Sequence, residues 1–341
     1  MENRNMTRAS EIPEAEVIRL TSDDISLMPK RFNIDGKSAP LATGYVWCTF
    51  QDDPDLPPIH FLRSFDKDKF KSGGIIRLGD SPVHPHTVLE YNKEMYKVGD
   101  SVEYTKVKGV SSGLNNDNTI YEQRISNPRL LHQYSTKQAR IVEADVLDLT
   151  YDYLPYALVV HGSGALGVPY MQQCAIINGT YKGKKVSFLG GWDRMFRSTV
   201  MQATYGQLFA GIVFIGITPD GCREWGSVMM FGSRGFGYYC KDNEEPVVST
   251  DVKMENATWE PLSYLDDGTV TFTKATFRLA NKEIHYDAKW GYRGWDEESI
   301  LSLRKNGYSL SSGSWYEGFT PYKHEKTFTF AESHEAYQNK V

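Results

Sequence analysis

Short stretches of alternating or clustered apolar residues, each closed by a turn signal, follow one another along most of this chain, and nothing else constrains its fold as strongly. TGYVWCTFQ, HTVLEYN, DSVEYTKV, ARIVEADVLDLTY, CAIING and KKVSFLGG read as strands in the first part. GIVFIGI, GSVMMFG, DVKMENATWEP, GTVTFTKATFRLA and KEIHYDAKWGY continue the series. Asn178-Gly179, Pro219-Asp220-Gly221, Asp266-Asp267-Gly268 and Ala280-Asn281-Lys282 supply turn chemistry at hairpin spacing. Helical signals are scarce. TYDYLPYALV is interrupted by Pro155, and only Asp296 to Gly307 combines helical spacing, an acidic start and a glycine stop.

So many antiparallel strands in 341 residues exceed what one open sheet can hold without curling or splitting, so an all-β protein of two barrel- or sandwich-like domains is expected. The most polar central stretch, Cys240 to Asp251, carries Pro246 and is the expected boundary, dividing the chain into residues 1–245 and 246–341. No internal repeat is visible. The first 20 residues and the tail after Phe330 are expected to pack loosely.

Charge and composition narrow the function classes. A net charge of -5 with no clustered Lys and Arg argues against nucleic acid as a partner. The polar N-terminus has no apolar core of the kind that directs secretion, and the most apolar run, Leu208 to Ile217, is about half the length that spans a bilayer as a helix. Cys48, Cys174, Cys222 and Cys240 are widely spaced without a CxxC pair, which suits reduced core thiols and a cytoplasmic location. Sequons at Asn5, Asn178 and Asn256 carry little weight without export. A homodimer is compatible with all of this.

Familiar cofactor and nucleophile motifs are missing. There is no P-loop and no nucleophile elbow, and the glycines of FGSRGFGYY lie between strands rather than opening a helix. His84 and His86 form a pair in VHPHT, but no third ligand lies near them in sequence, so a turn stiffened by proline explains them better than a metal. No cofactor and no metal are expected.

Aromatics make up 13% of the chain, and they gather with ionisable groups in GGWDRMF, GCREWGSVMMFGSRGFGYY and KWGYRGWDEES, each beside glycines at an expected strand end. There the backbone would leave the sheet at a cavity mouth, with Trp192 as a wall and Asp193 and Arg194 as catalytic candidates. The plainer alternative is that adjacent Asp193 and Arg194 face opposite ways, each paired with a distant partner, while Trp192 packs. His161 follows an apolar strand, and an imidazole there could act as general acid or base, although a lone histidine is more often a hydrogen-bonded core residue. Tyr156, Tyr170, Gln172, Trp225, Tyr238, Trp290 and Trp295 are the candidates for lining an apolar substrate site, with core packing the alternative for any one ring.

Three features, GTYKGKKVSFLGGWDRMFRS, FAGIVFIGITPDGCREWGSVMMF and GTVTFTKATFRLANKEIHYDAKWGY, resemble the lipocalin-like superfamily of carotenoid hydratases, kievitone hydratase and cofactor-free fungal Diels–Alderases. The resemblance follows strand order and spacing over most of the chain after about residue 40. It implies two β-barrel-like domains, a ligand held in or between them, no cofactor, and an isoprenoid- or polyketide-type substrate. It also places Asp193 at the acid of the hairpin motif and Arg194 at its basic residue, while the histidine and tryptophan of the bacterial pattern have no counterpart.

Three activities fit these residues. A cofactor-free cyclase would fold a polyene and polarise one oxygen with Arg194, His161 or a tyrosine, relying on positioning. A hydratase or dehydratase would need a proton donor such as Asp193, Glu224 or His161. A non-catalytic carrier of a hydrophobic metabolite, or a sugar-binding sandwich, would need only the rings.

Overall fold

The computed structural model describes residues 15–19, 33–34, 37–38, 41–50, 59–66, 69–77, 108–117, 119–127, 130–143, 147–160, 170–181, 183–196, 210–231, 234–261, 270–293, 308–319 and 324–334. Every regular element among them is a β-strand, and no helix there is long and apolar enough to cross a membrane. The expected helix from Asp296 to Gly307 lies outside the described residues, as do HTVLEYN, DSVEYTKV and the Asp266-Asp267-Gly268 turn.

The first strands are β1 (Ala15–Arg19), β2 (Asn33–Ile34), β3 (Lys37–Ser38), β4 (Leu41–Phe50), β5 (Ile59–Asp66) and β6 (Lys69–Arg77). They are followed by β7 (Lys108–Leu114), β8 (Tyr121–Asn127), β9 (Leu130–Tyr134), β10 (Gln138–Glu143), β11 (Leu147–Val160), β12 (Tyr170–Tyr181) and β13 (Lys184–Phe196). An 11-stranded antiparallel sheet runs in the order β6-β5-β4-β13-β12-β11-β10-β9-β8-β7, with β1 added alongside β11. β2 and β3 pair only with each other.

A second sheet of nine strands takes the rest: β14 (Ala210–Ile217), β15 (Arg223–Phe231), β16 (Arg234–Lys241), β17 (Val247–Ser249), β18 (Val252–Pro261), β19 (Val270–Leu279), β20 (Lys282–Arg293), β21 (Tyr308–Glu317) and β22 (Lys326–His334). Its order is β17-β16-β15-β14-β22-β21-β20-β19-β18. β17 and β18 stand at opposite ends of this path, yet only Thr250 and Asp251 join them. A link that short cannot cross an open sheet, so the sheet curls until its edges approach. Among the described residues, fifteen buried ones on its concave side form one core, with Phe214, Tyr239, Phe272, Phe277, Tyr286 and Trp315 as its rings.

The topology corrects several sequence expectations. The change of sheet comes between Phe196 and Ala210, and Cys240 to Asp251, the boundary expected between residues 1–245 and 246–341, links β16, β17 and β18 of one sheet. Its polarity reflects exposed turns: Asn243, Glu244 and Glu245 are all at the surface. Nor are the ends loose where they are described. β1 pairs with β11 from Ala15↔Val160 to Arg19↔Tyr156, and β22 continues through Ala331 to His334 between β14 and β21.

TYDYLPYALV is part of the 14-residue strand β11. One edge of β11 is paired with β10 as far as Asp152 and with β1 from Tyr156 onward, and the register with β12 shifts between Tyr153 and Ala157. Pro155 falls in that gap, where its missing N–H costs no ladder bond.

Asn178-Gly179 is not a turn either. Both residues belong to β12, and the reversal comes later, at Gly183 with φ 78°. Glycine is needed at 179 because a Cβ there would lie 2.0 Å from the Asp148 carbonyl oxygen on β11. Ala280-Asn281 does turn β19 into β20, but Ala280 takes φ 52°, a region that penalises a Cβ. Ala280→Gly is therefore expected to stabilise the protein by about 0.5–1 kcal/mol, read from a urea melt, with the entropy of the added glycine taking back part of the relief.

Candidate functional site

β14 is buried along nearly its whole length, on both faces. Ala210, Ile212 and Phe214 point into the core of the second sheet, and Val213 and Ile215 point the other way. The same alternation on β15 sends Val228 and Met230 inward and leaves Trp225 and Ser227 on the opposite face, each 1% exposed. On β16, Tyr239 joins the core while Tyr238 and Cys240 share the face of Trp225 and Ser227, to which they are the direct register partners. These residues are covered by the first sheet.

Three side-chain contacts among the described residues mark that junction. The Tyr156 ring stacks on Trp225, with centroids 6.4 Å apart and planes 26° from parallel. The Tyr238 hydroxyl donates to Gln172 Oε1 at 3.4 Å, and Cys174 Sγ lies 3.7 Å from the same hydroxyl. With the phenol proton directed at Gln172, the thiol is the donor of the second contact. Gln172, Cys174, Tyr238 and Cys240 are fully buried. Burial pushes the Cys240 thiol far above its ordinary range, with Cys174 acting in the same direction, so it is a neutral, inert sulfhydryl. Cys174, Cys222 and Cys240 form no disulfide, and Cys222 is only half-buried.

Tyr156, Gln172, Trp225 and Tyr238 were each expected at a substrate site, and the structure brings the four together. Trp192 does not join them. Its register partner on β12 is Gln173, so the two share one face of the sheet and Gln172 takes the other. Trp192 is wholly buried in a ring cluster of the first sheet, stacked on His132 at 4.3 Å and met edge-on by Tyr134 at 4.8 Å, with Tyr151 and Tyr153 beyond.

The glycines before it do not lead the chain out of the sheet. Gly190 and Gly191 pair with Cys48 and Trp47 on β4 and with Ala175 and Cys174 on β12, and β13 continues through Asp193 and Arg194 to Phe196. Asp193 stands in register with Gln172 and Tyr45, and Arg194 with Met171 and Gly44. GGWDRMF is thus the last seven residues of β13, paired with β12 and β4, and the strand end falls at Phe196 rather than at the glycines. Tyr170 pairs with Val160 and Met195, and Trp290 pairs with Ser312 on β21. His161, Trp295, His84 and His86 lie outside the described residues.

A second cluster sits at the same end of β15, where Glu224 directly precedes Trp225 and so takes the opposite face of the strand. Glu224 Oε2 and His324 Nε2 are 3.0 Å apart, with side chains 9% and 2% exposed. Lys241 Nζ lies 3.8 Å from the other carboxylate oxygen. The His324 ring is set against Trp315, centroids 4.4 Å apart, and over Gly216, where a Cβ would come within 2.2 Å of it. Burial alone would raise the Glu224 carboxyl, but the hydrogen bond and charge of His324, aided by Lys241, hold it below the usual carboxylate range. Burial and the nearby Glu224 charge push the Tyr239 phenol far up. Glu224 was a sequence candidate for proton transfer. His324 was not, because nothing local in YKHEKTF shows that a residue one hundred positions away will face it.

Close by, Arg223 clasps Asp242 with Nε to Oδ2 and Nη2 to Oδ1, both at 2.8 Å. Burial would raise Asp242, but the hydrogen bonds and charge of Arg223 keep it low. Folded values below the unfolded ones mean that both acids stabilise the fold above the ordinary carboxylate range and lose that contribution as pH falls through their lowered values. The urea midpoint is therefore expected to fall steeply below about pH 4.5. Glu224→Gln and Asp242→Asn should each flatten this acid limb. An unchanged limb in both variants would show that other carboxylates govern it.

No family model and no curated protein sequence matches the chain. Among solved structures it is similar to a candidate AttH of Nitrosomonas europaea, with 10% identity, a TM-score of 0.45, and coverage of 90% of this chain and 99% of that one. It is also similar to CghA, at 12% identity and a TM-score of 0.45 over 97% of each chain. A third is kievitone hydratase from Nectria haematococca, at 13% identity and a TM-score of 0.38, covering 88% of this chain and 90% of that one.

Proposed function

We propose that this chain is a cofactor-independent cytosolic enzyme of the cyclase kind, which holds a hydrophobic isoprenoid- or polyketide-type molecule at the junction of its two sheets, each sheet forming one domain. The observation that carries this reading is the double burial of β14 to β16. One face closes the core of the second sheet, and the other turns rings and a few uncharged polar groups toward the first. Apolar walls with sparse polar groups suit a ligand whose shape is held and whose single oxygen is oriented.

In this reading Tyr156 and Trp225 position the carbon skeleton, and Tyr238, fixed by Gln172 and Cys174, supplies a polarising hydroxyl. Positioning then does most of the catalysis, since near-attack geometry is worth about 7–11 kcal/mol of barrier. The hydro-lyase alternative is favoured by one observation of its own, the hydrogen-bonded Glu224–His324 pair, which could pass a proton to an alkene or a leaving hydroxyl.

Native mass spectrometry of freshly purified protein is expected to show a co-purified apolar metabolite that is depleted in Tyr156→Ala. Turnover of that metabolite in isotopically labelled water should leave the product unlabelled. Incorporation of oxygen or carbon-bound hydrogen from water would end the cyclase reading in favour of the hydro-lyase.

A further inference from the structure

Two polar atoms at the junction have no hydrogen-bond partner among the described residues: Trp225 Nε1 and Ser227 Oγ. Both side chains are 1% exposed, and they are two positions apart on one face of β15. Leaving such groups unpaired in the interior is costly, and folded proteins rarely do so without a reason. Their neighbours are already engaged with one another, Tyr238 with Gln172 and Cys174.

We propose that Trp225 Nε1–H and Ser227 Oγ–H form a two-donor seat for one oxygen of an uncharged ligand, specifically a ketone- or ester-type carbonyl. The chemistry of the two atoms selects this class. An indole N–H can only donate, and the serine hydroxyl can turn to donate beside it, so the missing partner is an acceptor with two lone pairs. A carboxylate would need a cation, and among the described side chains those that meet here, Tyr156, Gln172, Cys174, Tyr238 and Cys240, carry no charge. A water molecule would accept both bonds but would bring two protons that need acceptors of their own. A carbonyl oxygen brings none. The seat rests on the reading of the junction as a ligand site, and it adds the class of functional group that the ligand presents.

The first test needs no ligand. Ser227→Ala removes one unsatisfied oxygen at nearly constant shape, so the melting temperature of the free protein should stay level or rise. A clear fall would show that the hydroxyl already has a partner, and the seat would be overturned. The second test uses β-ionone, an isoprenoid ketone, against the hydrocarbon in which its C=O is replaced by CH2, with affinities from calorimetry. Wild type should bind the ketone about tenfold more tightly, the equivalent of two modest hydrogen bonds. That preference should collapse in Ser227→Ala and in Trp225→Phe, and the bound carbonyl stretch should move back to higher frequency. Equal binding of ketone and hydrocarbon by wild type would sink the seat but leave the junction as an apolar site. A ketone preference that survives both substitutions would place the donor elsewhere. If wild type binds neither probe, the junction reading fails and the seat fails with it.

Discussion

Trp192→Ala is expected to destabilise the protein by about 3–5 kcal/mol, the range for removing a large ring from a packed core. The ring is wholly buried, stacked on His132 and bounded by Tyr134, Tyr151 and Tyr153, so its loss leaves a void that four rings cannot jointly close. β13 is also paired on both edges here, with Gln173 and Val46 opposite position 192, so the backbone has little freedom to sink into the space. Trp192→Phe keeps a ring and should cost markedly less. Equilibrium urea denaturation measures both. A cost under about 1 kcal/mol for the alanine variant would return Trp192 to the role that its sequence context suggests, the wall of an open cavity, since a ring facing a void has few contacts to lose.

The second large effect is expected at His324. Removing its ring strips the buried Glu224 carboxylate of its closest partner, and breaking a buried pair from one side costs about 3–5 kcal/mol. Lys241 at 3.8 Å remains and moderates the loss, so about 3 kcal/mol is expected for His324→Ala. Part of it is packing, because the ring fills the space between Trp315 and the bare backbone of Gly216. Glu224→Gln should cost less, since the amide stays neutral and can still hydrogen-bond. The double variant should be more stable than the sum of the single losses implies, because no charge is then left stranded. A double-mutant cycle of denaturation midpoints reads this directly. Strict additivity would mean that the two side chains do not share an interaction in solution.

Much of the second sheet was legible in the sequence. GIVFIGI, GSVMMF and KEIHYDAKWGY all fall within strands, because pleat alternation and turn chemistry are local and act whatever the rest of the chain does. Gly179 and Pro155 show where local signals mislead. Each has the chemistry of a chain reversal or a break, and each instead serves a strand: Gly179 because the β11 backbone passes against it, Pro155 because β11 changes partners there.

At the candidate site, the sequence by itself determined the all-β class and marked Tyr156, Gln172, Trp225 and Tyr238 as residues to watch, because rings beside glycines and polar groups are a composition that local reading can detect. Only the tertiary structure decided which of the marked residues meet. Trp192 and Gln172 stand on opposite faces of one sheet because β12 and β13 pair with Trp192 across from Gln173, and a shift of one residue in that register would have exchanged the faces. Tyr238 meets Gln172, and Glu224 meets His324, across 66 and 100 residues of chain. Contacts at such range leave no local periodicity, since they are set by how whole sheets curl and stack rather than by any run of neighbouring residues.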